Sequence, residues 1–160
     1  MYIVKRVRIF NIFKFNKIVS ILCQSGKNMA EKFNLHHWDN SKIKNIIIVF
    51  LCALKNKLFL VYDIVDNKPV ATFQIKQRSG LLKFSKLATL PNLEGKGIGS
   101  FCIEKIEEIA KENVCNKVCC EVYNESKHAI KFYKNRGYKE CGTINTIKYI
   151  EIKMEKDLNN

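Results

Sequence analysis

A chain of 160 residues, 47% hydrophobic and 27% charged, has the length and balance of one globular domain, expected over residues 1–160. It can bury a core without disulfide or metal staples, which excludes a disordered tail, a collagen-like fibre and a disulfide-dependent miniprotein. Twenty-eight Lys and Arg against fifteen acids give a formal charge of +13, so the surface favours an anionic partner: nucleic acid, a membrane face or a phosphorylated ligand.

Residues 2–10 alternate β-branched and basic side chains and predict a first strand. Residues 12 to about 32 read as one or two helical pieces, with Ser25-Gly26 as the place for a break. Asp39-Asn40-Ser41 offers N-caps for a helix over 42–55. The nine apolar residues from Ile46 to Leu54 are too few to span a membrane and predict the buried part of a core helix. Residues 57–63 and 70–76 read as a hairpin around Asp66-Asn67-Lys68-Pro69, and 81–90 as a further strand ending at Pro91. A glycine-rich turn, 94–99, opens a helix running to about Asn113. Ile98, Phe101, Cys102, Ile106, Ile109 and Ala110 form its apolar stripe. A strand over 117–123, a helix over 126–136 stopped by Gly137, and one or two strands over 138–156 complete an α/β (α+β) chain.

Seven cysteines, an odd number without a CxxC pair or a zinc-like spacing, predict buried or partly buried thiols in a reducing cytoplasm and no metal. Cys119 and Cys120 fall on opposite faces of their strand. Lys5, Arg6 and Arg8 interrupt the first apolar stretch, and no small-residue cleavage site follows, so no export signal, no membrane segment and no membrane partner are expected.

Two segments carry chemistry. In Glu94-Gly95-Lys96-Gly97-Ile98-Gly99-Ser100, alternate glycines let the backbone turn sharply and approach a ligand. The N–H groups opening the next helix then make an anion site suited to a diphosphate. The spacing is neither GxxxxGK[ST] nor GxGxxG, so it supports neither a nucleoside-triphosphate engine nor a dinucleotide fold. A tight strand–helix turn with no ligand has the same spacing. In Asn124-Glu125-Ser126 through Tyr138, Ala129 and Tyr133 stand four apart on one helix face. A small residue one turn before a tyrosine leaves room for a thin ligand beside the phenol; the alternative is that Phe132 and Tyr133 are core aromatics.

Together, in this order, these segments resemble the GCN5-related N-acetyltransferase (GNAT) superfamily. The turn resembles its acetyl-CoA pyrophosphate signature, [Q/R]-x-x-G-x-[G/A], with Glu94, Gly97 and Gly99 at the specified positions. Asn124, Ser126, Ala129, Phe132, Tyr133, Gly137 and Tyr138 match its N-x-S-x-x-A-x-x-F-Y-x-x-x-G-[F/Y] stretch. The specific match spans about residues 87–138.

The resemblance implies a mixed, mostly antiparallel sheet flanked by helices, and acetyl transfer from acetyl-CoA to a primary amine. It implies oxyanion N–H donors at Leu87, Ala88 and Thr89, and Tyr133 as the acid that protonates the CoA thiolate. The tyrosine and thiol pKa values, ~10 and ~8.5, make that transfer feasible. Gly95, Lys96, Ile98 and Ser100 complete the implied cofactor turn. Asn124 and Ser126 steady the cofactor arm or cap the helix, while Ala129 and Phe132 line it. Glu94 departs from the usual Gln or Arg, and a carboxylate there repels a diphosphate unless Lys96 and the general basicity compensate or the side chain points to solvent. The general base is not identified: Glu121 is a candidate with a structural alternative, Asp63 is no better, and His128 falls off the Tyr133 face. Trp38, beside His36 and His37, lines the acceptor pocket or packs in the core. A non-catalytic CoA-binding protein is the rival reading. A nucleic-acid module is disfavoured because lysine is scattered rather than clustered with aromatics. A homodimer through residues 138–156 is left open, as is the choice between small and peptide or protein amines.

Overall fold

A computed structural model describes residues 1–36, 38 and 41–158. It is a mixed α/β fold with a mostly antiparallel seven-stranded sheet and four helices. Strand β1 (Tyr2–Val7) leads into α1 (Ile12–Phe33) and α2 (Lys42–Ala53). Then come β2 (Lys57–Asp63), β3 (Lys68–Arg78), β4 (Leu81–Thr89), a 3-10 turn at Pro91–Leu93 and α3 (Ile98–Glu112). Strand β5 (Lys117–Tyr123), α4 (Lys127–Lys134), β6 (Lys139–Asn145) and β7 (Ile150–Asp157) complete the chain. The strand order is β1-β2-β3-β4-β5-β7-β6. Strand β4 pairs with β5 in parallel, Leu81–Lys83 against Lys117–Cys119.

The chain divides into two compact units, 1–76 with 86–106, and 77–85 with 107–160. In the first, α1 buries Phe15, Ile18, Val19, Ile21 and Leu22 at helical spacing, and they cluster with Val49 of α2 and with Leu58, Leu60 and Tyr62 of β2. Alternation along β2 sends Phe59 to the other face, where it stacks on Phe73 at 4.9 Å. Tyr2 of β1 meets Phe101 of α3 with ring centroids 5.5 Å apart. In the second unit, β7 lies between β5 and β6, antiparallel to both. Its core includes Leu82, Phe84, Val118, Cys120, Tyr133, Tyr138 and Met154.

Several expectations need correction. The strand over 2–10 ends at Val7, while residues 138–156, read as one or two strands, form two. Helix α1 runs unbroken through Ser25 and Gly26. Gly26 marks a close approach instead, for a Cβ there would stand 2.4 Å from the Trp38 carbonyl oxygen. Gly26→Ala is therefore expected to lose up to about 2 kcal/mol of stability. Overpacking of about 1–3 kcal/mol outweighs the helix-propensity gain of about 1 kcal/mol. A lower urea midpoint at unchanged slope is the readout; a rise would mean the contact relaxes freely.

The run Ile46–Leu54 is not a buried core segment: in α2 only Asn45 and Val49 are buried, and Phe50, Leu51 and Leu54 face solvent. Its N-cap is Ser41, whose hydroxyl accepts the Lys44 N–H; Asp39 and Asn40 lie outside the described residues. In α3, Phe101 and Ile109 are half-buried, whereas Ile103 belongs to the core. Gly137 does end α4, at φ 84°, with its N–H on Lys134 C=O and the Tyr138 N–H on Tyr133 C=O, a Schellman pair.

Candidate functional site

In the first unit, β4 delivers the chain to the glycine turn. Lys86 takes φ 51° inside this strand, a left-handed conformation that side chains rarely adopt and that breaks the regular pleat. Leu87, half-buried Thr89 and buried Ala88 follow it. The Leu90 N–H then bonds the Val70 carbonyl at 2.9 Å, anchoring the strand end to β3. The Lys86 ammonium sits 4.9 Å above the Trp38 ring, which also packs against the core cluster. Nothing in the sequence singles out Lys86, since no side-chain pattern encodes a left-handed lysine.

Beyond the 3-10 turn, Gly95 and Gly97 adopt φ +79° and +76°, where glycine alone is unstrained. Among the described residues, nothing lies within 4 Å of a Cβ placed on either, so they leave the open side of the backbone unfilled. The first bond of α3 runs from the Phe101 N–H to the Gly97 carbonyl. The N–H groups of Gly97, Ile98 and Gly99 therefore have no acceptor within the helix, and they sit at its positive end. Gly99 and Ser100 occupy the first turn of α3, Ile98 is buried, and Lys96 is exposed. The Glu94 carboxylate meets the Lys32 ammonium of α1 at 2.6 Å, with both side chains about half exposed. The cation that offsets Glu94 thus comes from 62 positions upstream.

In the second unit, β5 leads through Asn124 and Glu125 into α4. The Asn124 N–H is held by the Ile150 carbonyl, and the Lys127 ammonium bonds the Asn124 carbonyl at 2.9 Å. Ser126 is buried and its side chain makes no capping bond, which removes the ordinary N-cap role. Ala129 is half-buried one turn before Tyr133. Tyr133 is buried against Phe84 (5.7 Å), Phe132 (5.2 Å) and Tyr138 (5.7 Å). Arg136 covers Phe132 at 3.7 Å. Tyr138 has another position: its hydroxyl donates to Glu107, which also accepts from Lys156 at 2.8 Å. Burial, reinforced by the Glu107 charge, pushes the Tyr138 phenol far above its ordinary range, so it stays protonated and anchors the fold.

The base candidates are engaged elsewhere. Glu121 pairs with Lys83 at 2.5 Å. The Asp63 carboxylate accepts the Val65 N–H in a turn. His128 is exposed; His36 contacts the Asn34 side chain; His37 lies outside the described residues. Burial pushes the Cys102 thiol up to about 12 and Cys119 up to about 11, so neither is a thiolate near neutral pH. Cys141, contrary to expectation, is exposed. Among the described residues, no three His, Cys, Asp or Glu gather as metal ligands, and no helix is long and apolar enough to cross a membrane.

The sequence model of the Acetyltransferase (GNAT) family matches residues 23–138, and this chain belongs to that family. It is 26% identical over 117 residues to the uncharacterized protein YxbD of Bacillus subtilis, which covers 73% of this chain and 71% of that one. Its fold resembles the ribosomal-protein-S18-alanine N-acetyltransferase of Escherichia coli, with a TM-score of 0.73 at 13% identity over 99% of this chain and 94% of that one. It also resembles the PaiA N-acetyltransferase of Thermoplasma acidophilum, solved in complex with coenzyme A, with a TM-score of 0.73 at 16% identity over 98% and 99%.

Proposed function

We propose that the protein transfers an acetyl group from acetyl-CoA to a primary amine by direct attack. The observation that carries this reading is the glycine turn. Two left-handed glycines with open Cβ positions lead into a helix N-terminus, and the one repelling carboxylate is matched by Lys32. These features fit a diphosphate. Acetyl-CoA supplies an activated thioester carbonyl and a thiolate leaving group. In this reading the N–H groups of Gly97, Ile98 and Gly99 hold the pyrophosphate, with Gly95, Lys96 and Ser100 around it. Backbone N–H groups of Leu87, Ala88 and Thr89, beyond the break at Lys86, donate to the carbonyl oxygen as charge develops there. Asn124, Ser126, Ala129 and Phe132 position the pantetheine arm. The Tyr133 hydroxyl gives its proton to the thiolate sulfur. The reaction needs no cysteine nucleophile, in keeping with protonated Cys102 and Cys119. The amine's proton leaves through ordered water, since Glu121 and Asp63 are engaged elsewhere.

The Lys32–Glu94 pair removes the main support for a non-catalytic CoA binder, which was an unopposed carboxylate at the turn. Calorimetric titration at moderate salt is expected to give one-to-one, micromolar acetyl-CoA binding, and an amine panel is expected to give thiol release. Glu94→Gln leaves Lys32 uncompensated and should tighten binding about two- to fivefold. Lys32→Ala bares the carboxylate and should weaken it by a similar factor, the scale of a half-exposed charge pair. Equal dissociation constants for all three proteins would show that the pair does not sense the phosphates. No binding at millimolar acetyl-CoA would overturn the reading altogether.

A further inference from the structure

Helix α2 carries an apolar stripe that the fold leaves uncovered. Ile43, Ile47, Phe50, Leu51 and Leu54 recur at helical spacing and all are exposed, Ile43 at 71% and Leu54 at 63%. The opposite side, through Val49 and half-buried Ile46 and Ala53, packs on the core of the first unit. The stripe is therefore not a misplaced core face, for this helix already has one. Exposed Lys44 and Lys55 border it, and Lys42 stands at its start. At the C-terminal end of α2 the surface opens into a shallow hollow of about 270 Å³, walled by Arg6, Arg8 and Lys57 together with Phe10. Phe10 is almost wholly exposed, and Ile12 and Phe13 beside it in the chain are exposed as well.

Among the described residues, the charged side chains that border the stripe and wall the hollow are cations. Residues 1–62 hold eleven Lys and Arg against only Glu31 and Asp39, and no acid occurs between Asp39 and Asp63. That segment thus carries nine of the chain's thirteen net positive charges, and six of its eleven cations, Arg6, Arg8, Lys42, Lys44, Lys55 and Lys57, border the stripe or wall the hollow. A second copy of this chain would bring Lys42, Lys44 and Lys55 against their own like charges, which opposes pairing through this face. Nucleic acid would use the cations but leave five aliphatic and aromatic side chains in water or against phosphate. An anionic bilayer surface satisfies both: phosphates meet the lysines and arginines, and the stripe enters the headgroup–acyl boundary.

We propose that α2, with the cationic hollow at its end, docks the protein flat onto an anionic lipid surface. The helix lies in the interface and does not span it. This attachment is independent of acetyl transfer and uses none of the residues assigned to it.

The test is co-sedimentation of the full chain with vesicles of phosphatidylcholine alone, or with about 30 mol% phosphatidylserine, near 0.1 M salt. The expected result is binding to the anionic vesicles at least about tenfold tighter than to the neutral ones, falling as salt rises. Ile47→Asp with Leu51→Asp, and separately Lys44→Glu with Lys55→Glu, should each weaken binding about tenfold or more. All four side chains are exposed, so the urea midpoint should stay unchanged and confirm a folded variant. Absence of vesicle binding by the folded protein overturns the proposal. So does vesicle binding that the apolar pair does not reduce but inorganic phosphate abolishes, which would mark a simple phosphate site. Self-association lost in the apolar pair, without vesicle binding, would assign the stripe to a second copy. Binding to duplex DNA tighter than to vesicles would assign the cations to nucleic acid.

Discussion

Tyr133→Phe is expected to lower kcat by about 10²–10⁴-fold while leaving the acetyl-CoA dissociation constant within about twofold, the signature of a lost proton donor. The substitution removes one hydroxyl and keeps the ring that packs on Phe84, Phe132 and Tyr138, so the aromatic cluster should persist. Steady-state thiol release with a responsive amine, alongside calorimetric binding, separates the two effects. A variant with wild-type kcat would mean that the thiolate departs without help from this residue. Equal losses in binding and turnover would place Tyr133 in cofactor positioning instead. Tyr138→Phe is the control: its hydroxyl is committed to Glu107, so stability should change more than turnover.

Phe84→Ala should be the most damaging of the single core substitutions near the site, at about 3–5 kcal/mol. Phe84 is 1% exposed, and its ring packs on both Tyr133, at 5.7 Å, and Tyr138, at 6.0 Å. Truncation both forfeits the buried apolar area and leaves a cavity that two large phenols cannot fill without leaving their rotamers. Against a domain stability of about 5–15 kcal/mol, that loss is large enough to appear as a much lower denaturant midpoint. Phe84→Leu keeps more of the volume and should cost clearly less. Should the leucine variant stay folded but lose turnover, Phe84 would be orienting Tyr133 as well as filling space. A Phe84→Ala midpoint within about 0.5 kcal/mol of wild type would mean that the cluster closes over the gap.

Much of the site was legible because its parts are local in the chain. The turn announces itself through Gly95 and Gly97, since a left-handed backbone needs glycine, and Gly99 already lies in the first turn of the helix that follows. Asn124 through Tyr138 is one strand-to-helix connection whose spacing alone sets Ala129 and Tyr133 on a common face. Family membership follows from these same segments, which lie inside the matched range 23–138. The harder features involve partners far apart in sequence. Glu94 reads as a defect until Lys32 arrives from α1. Glu121 stays between base and structural carboxylate until Lys83 meets it across the β4–β5 pair. Gly26 reads as a helix break because the Trp38 carbonyl that excludes a side chain there is twelve positions away and invisible to local propensity.

Helix α2 shows the same division from the side of packing. Nine apolar residues in a row contain no polar face, so periodicity cannot tell which side is covered, and composition suggests that all of it is. The amino-acid sequence by itself determined the order of strands and helices, the glycine turn, the α4 motif and the surplus of positive charge, because each rests on nearest-neighbour backbone preference or simple count. Only the tertiary structure decided which apolar side chains are buried, which charges are paired and where the backbone is bent against preference, as at Lys86. Burial and pairing are properties of surfaces brought together by chain closure. A one-dimensional pattern records what each residue can offer but not what it meets.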